Sequence, residues 1–431
     1  MGKIELIVVI GAEIIMSFKT PIAIFAYNRK NKLECMIQSL IKCNNISGRD
    51  VYVFCDAPNL LKDGDIERVQ EVIDYLKIVK ENKMFSNMTI VRAEKHKGCK
   101  KSVIEGINYI FQLYDSVIDI EDDLILAEDF LDYIDDGLEY YRDNMEIWSI
   151  SAFTAPLRAL EKYNKTTFKG ERATSWGFGI WKNRWEMVDW EMSFFSEFIE
   201  NQDVIDKFAL WGYDLPIMLR DEAEKISDAW DIITCYTQFE NNMYTVFPSK
   251  SKSYNTGTVG THYKGTPILQ QELCLDSKKY DISDAIYSKE IADERRSLYM
   301  NEEVYKKRKL FSDEEKYRLY YNFMCKWFNE QDDIVEKYLE NEGIEKIAIY
   351  GAGPIGRALE KRISNNDRIK VQYIIDSNSN IECVSDIPVI LPIDNLPKVD
   401  AIIITTLLDY YTVKKEIIMD TKFISLCEVI R

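Results

Sequence analysis

Histidine, paired cysteines, positive charge and long apolar runs are scarce in this sequence, and each scarcity excludes a class of protein. Only two histidines occur, His96 and His262, so a multi-histidine zinc site is excluded. The nine cysteines form no Cys-x-x-Cys pair, which favours reduced thiols and a cytoplasmic protein. The net charge of −17 argues against nucleic-acid binding, because nucleic-acid-binding proteins present a basic surface.

No apolar run is long enough to span a membrane. The longest run near the start, residues 6–16, contains Glu13 and falls short of the roughly 20 residues that a spanning helix needs. It also lacks the basic start and the cleavage site of a signal peptide. We therefore expect residues 1–20 to be an N-terminal extension, of which residues 1–15 either lie outside the fold or reflect an over-called start codon.

What remains is the composition of an ordinary folded protein. Hydrophobic residues make up 46% and charged residues 29% of the chain, which is typical of globular proteins. A length of 431 residues exceeds what a single core usually holds, so we expect two domains. The changes in pattern place them at residues 21–282 and 344–431, joined by a helical connector at residues 283–343.

The first half of the chain alternates between strand and helix patterns. Runs of β-branched and aromatic residues predict strands at residues 21–27, 50–55, 88–92, 117–120 and 147–153. Apolar residues at helical spacing predict helices at residues 33–41, 66–79 and 101–114. This alternation predicts a parallel α/β sheet, in which ligands bind beyond the carboxyl ends of the strands.

Three consecutive carboxylates, Glu121, Asp122 and Asp123, follow the fourth of these strands. A buried strand that delivers carboxylates to its end suits a hard divalent cation, because Mg²⁺ and Mn²⁺ take oxygen ligands and often only one or two of them from protein. The other interpretation is an acidic loop at a strand end. The flanking pattern favours a site for Mg²⁺ or Mn²⁺ that also holds a diphosphate.

Two more polar residues follow neighbouring strands. Arg29 comes after the first strand and Asp56 directly after the second. Taken singly, Arg29 would be a surface arginine and Asp56 a turn-forming aspartate. Because the carboxyl ends of parallel strands meet at one edge, we expect Arg29, Asp56 and Asp123 to converge on one crevice.

Aromatic and acidic residues further along the chain are candidates for the rest of a site. Trp176 and Gly177 combine a flat surface with close backbone approach, which suits stacking on a sugar ring or a base, although an aromatic core would use the same residues. Asp228 and Asp231 flank Trp230 at the start of an apolar run. Either acid is a candidate general base or a helix N-cap.

A polar loop at residues 249–264 contains Gly257 and two candidate cations. It could close over a phosphate, with Lys252 or Lys264 as the cation and His262 as a metal ligand or phosphate contact. A solvated loop accounts for the same residues equally well.

These residues together resemble the GT-A glycosyltransferases, in particular the N-acetylglucosaminyltransferase I type and related bacterial sugar transferases. The likeness covers residues 21–264 and is most specific over residues 96–153. It rests, in chain order, on Asn28-Arg29, Cys55-Asp56, His96-Lys97, Glu121-Asp122-Asp123-Leu124, Trp176-Gly177-Phe178-Gly179 and Ala229-Trp230-Asp231.

The resemblance implies a metal and a donor. Asp123 would ligate Mn²⁺ or Mg²⁺, with Asp122 and Glu121 in support. Arg29 and Asp56 would contact the nucleotide of the donor, which by this likeness is a UDP-sugar.

The resemblance also implies a base and an acceptor. Asp231, with Asp228 as its rival, would take the proton of the acceptor hydroxyl in an inverting displacement; the chain departs from the family in having Trp-Asp-Ile-Ile where a second Asp is usual. The acceptor would be a glycan or glycolipid of surface polysaccharide synthesis. We expect a cytoplasmic protein that associates transiently with the inner membrane face.

A second glycine-rich pattern begins near residue 346. A strand pattern leads into Gly351, Gly353 and Gly356, a helix follows, and Asp376 ends the next strand. This is Gly-x-Gly-x-x-Gly in strand-turn-helix context, and it resembles the small Rossmann-like domains found beside sugar-biosynthesis enzymes. It predicts a site for NAD(P) or another nucleotide, or else a docking or vestigial domain.

Two hypotheses from different classes follow. The first is a metal-dependent glycosyltransferase with an accessory C-terminal domain. The second is a non-catalytic regulatory or assembly protein that binds a nucleotide-sugar or NAD through that domain. A sugar-nucleotide dehydrogenase or epimerase is a weaker third. The triplet ending at Asp123 favours the first.

Overall fold

The computed structural model describes residues 19–257, 271–273, 280–308, 310–329, 333–378, 380–392 and 396–430. Most of the predicted N-terminal extension and His262 lie outside the described residues. No helix in these ranges is long and apolar enough to cross a membrane.

Up to residue 151 the chain alternates strands and helices, which confirms the predicted pattern. The elements are β1 (Ile22–Ala26), α1 (Lys30–Leu40), β2 (Asp50–Cys55), α2 (Asp65–Glu81), β3 (Asn87–Arg92), α3 (Cys99–Ile110), β4 (Ser116–Glu121), β5 (Leu124–Leu126), α4 (Phe130–Tyr140) and β6 (Ile147–Ser151). Helix α1 shows why the pattern predicts them. It buries Leu33, Met36, Ile37 and Leu40, which share one face at helical spacing.

The next part of the chain is less regular. After a 3-10 helix (Arg158–Lys162) come β7 (Thr167–Gly170), β8 (Phe178–Trp181), α5 (Lys182–Trp185), α6 (Phe195–Glu200), α7 (Gln202–Ala209), α8 (Leu215–Ala223), α9 (Trp230–Glu240), β9 (Tyr244–Pro248) and β10 (Ser253–Asn255). The predicted connector is mainly helical. It holds a second 3-10 helix (Ile282–Asp284), β11 (Ile286–Tyr287), α10 (Lys289–Arg296), α11 (Glu302–Lys307), α12 (Asp313–Asn329) and α13 (Ile334–Asn341).

Nine strands of the described chain form one sheet, called here the large sheet, in the order β11-β7-β9-β6-β8-β4-β1-β2-β3. Strands β1 to β4 are parallel where they pair. The predicted parallel pairing is thus present in these strands, whereas β8 runs antiparallel to both β4 and β6, so the large sheet as a whole is mixed. Because β8 is reversed, its first residue, Phe178, lies beside Asp119 near the carboxyl end of β4.

This topology brings separate parts of the sequence to one place. The carboxyl ends of β1, β2, β4 and β6 and the start of β8 form one edge of the large sheet, which we call the carboxylate edge. Strands β5 and β10 pair antiparallel, with Leu124 opposite Asn255, directly after the carboxylates that end β4. Polar side chains that follow these strands therefore lie near one another.

The last part of the chain builds a second sheet, the small sheet. Its elements are β12 (Lys346–Tyr350), α14 (Pro354–Ile363), β13 (Lys370–Ile375), β14 (Cys383–Val384), β15 (Ile387–Ile390), β16 (Ala401–Ile404), α15 (Tyr410–Glu416), β17 (Lys422–Ser425) and α16 (Leu426–Val429). In the described residues the strand order is β14-β15-β13-β12-β16-β17, and β12 pairs parallel with both β13 and β16.

The chain is thus a mixed α/β protein with parallel pairing in both sheets, and that part of the predicted fold class is confirmed. The short strand β11 pairs with β7 of the large sheet although it follows residue 282. The domain boundaries at residues 20, 282 and 343 stay predictions.

Candidate functional site

The centre of the carboxylate edge is an ion-pair cluster of Arg29, Asp122 and Asp123. Arg29 Nη1 donates to Asp123 Oδ2 at 2.9 Å, and Arg29 Nη2 donates to Asp122 Oδ1. Arg29 directly precedes α1, and its carbonyl accepts from the amides of Lys32 and Leu33 at 3.0 Å. The convergence predicted for Arg29 and Asp123 is therefore present as a direct contact.

The two aspartates of this cluster are nearly inaccessible to solvent. Asp122 is 2% exposed and Asp123 is 5% exposed. Burial raises the pKa of Asp122 to about 6, although the charge of Arg29 acts in the opposite direction. Burial, followed by the charges of Asp123 and Asp119, raises the pKa of Glu121 well above its ordinary value. The end of β4 therefore gathers more carboxyl groups than one arginine keeps at their ordinary pKa.

The surroundings of Asp122 and Asp123 fit a divalent cation. Within the described residues, Asp122 Oδ2 is buried and accepts no hydrogen bond. A Cβ on Gly257 would lie 2.5 Å from Asp123 Oδ2, so only glycine leaves space beside that oxygen. The described part of the chain has no cluster of three or more His, Cys, Asp or Glu side chains arranged for a metal. Two carboxylates with water and phosphate ligands are a usual set for Mg²⁺ or Mn²⁺.

Asp56 organises the loop that starts α3. Its Oδ1 accepts from the amide of Lys97 at 2.9 Å and its Oδ2 from the amide of Gly98 at 3.0 Å. His96 Nδ1 lies 2.9 Å from Asp56 Oδ2. Burial lowers the pKa of His96, but the hydrogen bond and charge of Asp56 outweigh it and the pKa is raised. Asp56 therefore holds two neighbouring loops together at the carboxylate edge.

A buried aspartate that the sequence analysis missed, Asp65, fixes the loop next to Arg29. It is 0% exposed and accepts from the hydroxyl of Tyr27 and the side-chain amide of Asn28. The amide of Asn59 donates to it at 2.8 Å, so Asp65 ties the loops after β1 and β2 together. Asp65 begins α2, where an acid suits the helix dipole, and nothing in the sequence marks it as more than that.

The rings of Tyr27 and His96 are in contact beside this loop, tilted relative to each other. Their centroids lie 5.1 Å apart with planes tilted by 31°. Tyr27 is also held by its hydroxyl on Asp65. The pair gives the carboxylate edge a flat, hydrogen-bonded surface between Asp56 and Arg29.

Trp176 and Gly177 reach the carboxylate edge but pack against protein. Trp176 lies edge-on to Phe153, with ring centroids 4.5 Å apart, and its carbonyl accepts from Ser253 Oγ at 2.6 Å. Gly177 has φ +82°, and a Cβ there would lie 2.9 Å from the ring of Phe130. The close approach that Gly177 permits is thus to helix α4.

The two candidate bases lie at the start of α9. Asp228 faces the loop that starts α3, because a Cβ on Gly98 would lie 3.2 Å from Asp228 Oδ2. Asp231 lies in the first turn of α9 and borders a small cavity with Trp148, Trp185 and Trp230. The N-cap of α9 is Ala229, which makes no side-chain cap, so the N-cap interpretation of either acid is wrong.

Cys99, the first residue of α3, has a thiol whose pKa is affected by both acids. Burial raises the pKa of its thiol well above the ordinary value, and the charges of Glu121, Asp228 and Asp231 add to the effect. In the described part of the chain, neither Asp228 nor Asp231 bonds to the cluster of Arg29. The choice between them as a base stays a prediction.

The predicted phosphate loop divides into a described and an undescribed part. Lys252 Nζ lies 2.5 Å from Asp129 Oδ2, and Lys252 is only 3% exposed. The interpretation of Lys252 as a phosphate contact is therefore wrong, because its charge is already neutralised inside the protein. His262 and Lys264, predicted as metal ligand and cation, lie outside the described residues.

The glycine-rich loop of the small sheet has the predicted strand-turn-helix position between β12 and α14. Gly351 has φ +102°, and a Cβ on Gly356 would lie 1.9 Å from the carbonyl oxygen of Gly351. A Cβ on Gly353 would meet no atom of the described residues within 4 Å. Asp376 Oδ2 accepts from the amide of Ala352 at 2.6 Å. The loop therefore packs tightly against its own backbone at Gly356 and leaves space for a side chain or ligand at Gly353.

Comparisons with known proteins gave distant structural matches. No protein-family model matches the chain, and no curated protein matches it. It is similar to mannosyltransferase PcManGT from Pyrobaculum calidifontis, solved with GDP-Man and Mn²⁺, at 11% identity over 39% of this chain and 46% of that one, with a TM-score of 0.26. It is similar to S. aureus TarS 1-349, solved with UDP, at 12% identity over 55% and 60%, with a TM-score of 0.33.

A third match is a cytidylyltransferase from Leptospira borgpetersenii, at 13% identity over 40% of this chain and 64% of that one, with a TM-score of 0.25. The chain therefore spans less than two thirds of each of these structures. Because every TM-score lies below 0.5, we base the proposed function on the residues of this chain.

Proposed function

We propose that this chain is a metal-dependent glycosyltransferase of the GT-A type that moves a sugar from a nucleotide-diphosphate donor to an acceptor hydroxyl. The observation that carries the proposal is the cluster of Arg29, Asp122 and Asp123 at the carboxylate edge. Two buried carboxylates and a guanidinium at the ends of adjacent parallel strands suit a metal-bound diphosphate. The Rossmann-like character of the small sheet belongs to the same proposal.

Asp122 and Asp123 would hold Mn²⁺ or Mg²⁺ in this site. When bound, the metal would neutralise the charge that develops on the leaving diphosphate. Arg29 would bind phosphate oxygens, since guanidinium groups bind such oxyanions in a bidentate manner. The loops that Asp56 and Asp65 fix would hold the nucleotide beside Tyr27 and exclude water from it.

An acid at the start of α9 would take the acceptor proton. We propose Asp231, in the first turn of α9, with Asp228, which faces the loop that starts α3, as the second candidate, because one carboxylate oxygen suffices to accept the proton. Direct attack on the anomeric carbon from the face opposite the diphosphate would invert its configuration. His262 is proposed as a further metal or phosphate contact from the sequence alone.

The donor and acceptor are proposed from the same resemblance. A UDP-sugar would be the donor, and the hydroxyl of a glycan or glycolipid in surface polysaccharide synthesis would be the acceptor. A lipid-linked acceptor would bring the protein transiently to the inner membrane face.

Donor hydrolysis tests the proposal without a known acceptor. The intact chain and Asp123→Ala are incubated with a panel of nucleotide sugars, with Mn²⁺ or with a chelator, and nucleotide release is measured. Asp74→Ala, a change at an exposed acid paired with Lys77, is the matched control. We expect Mn²⁺-dependent release of one nucleotide by the intact chain and the control only. Absence of both turnover and metal-dependent nucleotide binding would contradict the proposal.

The second candidate function is binding of a nucleotide or NAD(P) by the glycine-rich loop of the small sheet. The open space at Gly353, next to the N-terminus of α14, favours it over a purely structural loop. If the chain were a regulatory protein of this kind, equilibrium dialysis would detect a nucleotide whose binding is unaffected by Asp123→Ala and is weakened by Gly353→Leu. Donor turnover lost in Asp123→Ala would argue against a solely regulatory role.

A further inference from the structure

The guanidinium of Arg29 lies between the two carboxylates that would bind the metal. We propose that Arg29 is an internal counter-cation: it neutralises Asp122 and Asp123 in the metal-free protein, and a divalent cation must displace it to bind. The inference rests on the proposed function, because it assumes that these carboxylates are metal ligands. It adds that metal binding and diphosphate binding are coupled through the position of one side chain.

The contacts of Arg29 are those expected of a substitute cation. Its two terminal nitrogens bind oxygens of two different aspartates, Asp122 Oδ1 and Asp123 Oδ2. Asp123 Oδ2 is also the oxygen that faces the space beside Gly257. A metal that binds Asp123 Oδ2 together with either oxygen of Asp122 takes an oxygen that Arg29 Nη1 holds, so the two cations compete for Asp123 Oδ2.

The protein needs a cation here when no metal is bound. Asp122 and Asp123 are almost fully buried, and Glu121 adds a third carboxylate within the same short segment. Charged carboxylates that are buried together are costly unless an opposite charge is close to them. Arg29 supplies that positive charge, because its guanidinium group keeps its proton at any relevant pH.

The side chain of Arg29 is also able to move away from the two aspartates. Its backbone is fixed, because its carbonyl accepts the first hydrogen bonds of α1 from Lys32 and Leu33. Its side chain is 34% exposed, in contrast to 3% for Asp122 and 6% for Asp123. Rotation about side-chain bonds can therefore move the guanidinium outward without disturbing the helix. A diphosphate at this edge would offer it new oxyanions at bidentate geometry.

This arrangement has a thermodynamic consequence. A divalent cation alone has to break two charge-assisted hydrogen bonds, so it should bind more weakly than the two carboxylates would otherwise allow. A diphosphate that holds Arg29 in its outward position removes this competition. By linkage, the metal and the nucleotide then strengthen each other's binding by the same factor.

The experiment measures Mn²⁺ binding in the absence of nucleotide. Free Mn²⁺ is followed by electron paramagnetic resonance during titration of the intact chain, Arg29→Gln, Arg29→Lys and the control Arg142→Gln, whose arginine pairs with Glu139 at the surface. We expect Arg29→Gln to bind Mn²⁺ about tenfold more tightly than the intact chain. Arg29→Lys, which keeps the charge, and the control should stay close to the intact chain. UDP binding at saturating Mn²⁺ should weaken in Arg29→Gln.

Two further measurements separate the possible failures. Unchanged or weaker Mn²⁺ binding in folded Arg29→Gln, with binding abolished in Asp123→Ala, would overturn the counter-cation and leave the proposed function standing. Equal Mn²⁺ binding by the intact chain and Asp123→Ala would overturn the proposed function. Should Arg29→Gln not fold, guanidinium NMR of the intact chain replaces it. The guanidinium signal of Arg29 is identified by its absence from the spectrum of Arg29→Lys. This signal should shift when Mg²⁺ is added to the intact chain, and a signal that does not shift would overturn the counter-cation.

Discussion

Two edges of this molecule carry acids at the ends of parallel strands, and they hold those acids differently. At the large sheet, Asp122 and Asp123 are buried and bind a side-chain cation, Arg29. At the small sheet, Asp376 is partly exposed and binds backbone amides: Ala352 at 2.6 Å and Asn378 at 2.8 Å. The acids of the large-sheet edge are thus bound by a charged side chain, and the acid of the small-sheet edge is bound by backbone amides.

This difference indicates which edge needs a cation beside its carboxylates. Backbone amides carry only partial charge, yet they suffice for one carboxylate that water still reaches. Several carboxylates taken out of water need full positive charges, because desolvation and mutual repulsion both favour protonation. The edge of Asp123 therefore fits ion-dependent chemistry, and the edge of Asp376 fits reversible binding. Each of the following changes tests this comparison against a control variant.

The largest effect is expected from removing one charge at each edge without changing shape. Asp123→Asn should lower donor hydrolysis by on the order of 10³-fold, because a metal ligand and the charge that positions Arg29 are lost together. Asp376→Asn should leave hydrolysis within about twofold, since backbone amides can still donate to the remaining oxygen. Steady-state nucleotide release measures both. Equal losses in the two variants would show that the edges are not functionally distinct.

The next effect concerns a buried pair that supports the large-sheet edge. Lys252→Met should destabilise the protein by about 3 kcal/mol, because Asp129 then stays buried without the cation that lies 2.5 Å away. The control is Lys414→Met on α15, whose partner Glu191 is 3.4 Å away and largely exposed. An exposed pair of this kind should contribute nothing measurable. Urea unfolding compares the two, and a similar loss in both would contradict the ranking.

A smaller effect is expected at the glycine-rich loop of the small sheet. Gly356→Ala should cost about 2 kcal/mol, because its Cβ would overlap the carbonyl oxygen of Gly351. Gly353→Ala should change stability by less than about 0.5 kcal/mol, because its Cβ meets no atom. Thermal unfolding distinguishes them. A stable Gly356→Ala protein would mean that the loop can rearrange and that its closed form is not required.

The sequence predicts the cluster at the large-sheet edge well because strand ends can be read locally. Arg29 and Asp123 each follow an apolar run, and parallel strands bring such ends together by geometry alone. Asp65 could not be found in this way. Its partners Tyr27, Asn28 and Asn59 come from two other loops, and its own position looks like an ordinary acidic first turn of a helix.

Lys252 is predicted wrongly and β8 is not predicted at all, for a related reason. A lysine in a polar loop indicates exposure, and only the pairing of β10 with β5 places it over the buried Asp129. Strand β8 runs antiparallel to β4 and β6, and strand patterns in the sequence do not encode direction. What the sequence leaves open is thus set by contacts between segments that are far apart in the chain.

Glu224 allows the finest test of the comparison, because it is held by backbone amides, like Asp376, but is buried, like Asp123. It is 3% exposed, and the amide of Tyr410, at the start of α15, donates to it at 2.7 Å. Burial raises its pKa to about 7, although the amides of Tyr410 and Tyr411 and the charge of Arg220 act against burial, and Asp409 adds to the increase. Backbone amides are thus too weak to keep this buried carboxyl ionised at an ordinary pKa.

The sign of the pH dependence follows from that increase. Since the folded protein binds this proton more tightly than the unfolded chain, the contribution of Glu224 to stability is fully present below its unfolded pKa of 4.5. It is lost as the pH rises from there through about 7. Between pH 5.5 and 7 the intact chain should lose about 1.5 kcal/mol that Glu224→Gln does not lose. Urea unfolding at both pH values measures the difference, with Glu191→Gln as the control at an exposed acid that pairs with Lys414 of α15. An identical pH dependence in the intact chain and Glu224→Gln would mean that backbone amides do hold a buried carboxylate in its charged form. The contrast between the two edges would then come from the number of acids at each edge and not from the groups that bind them.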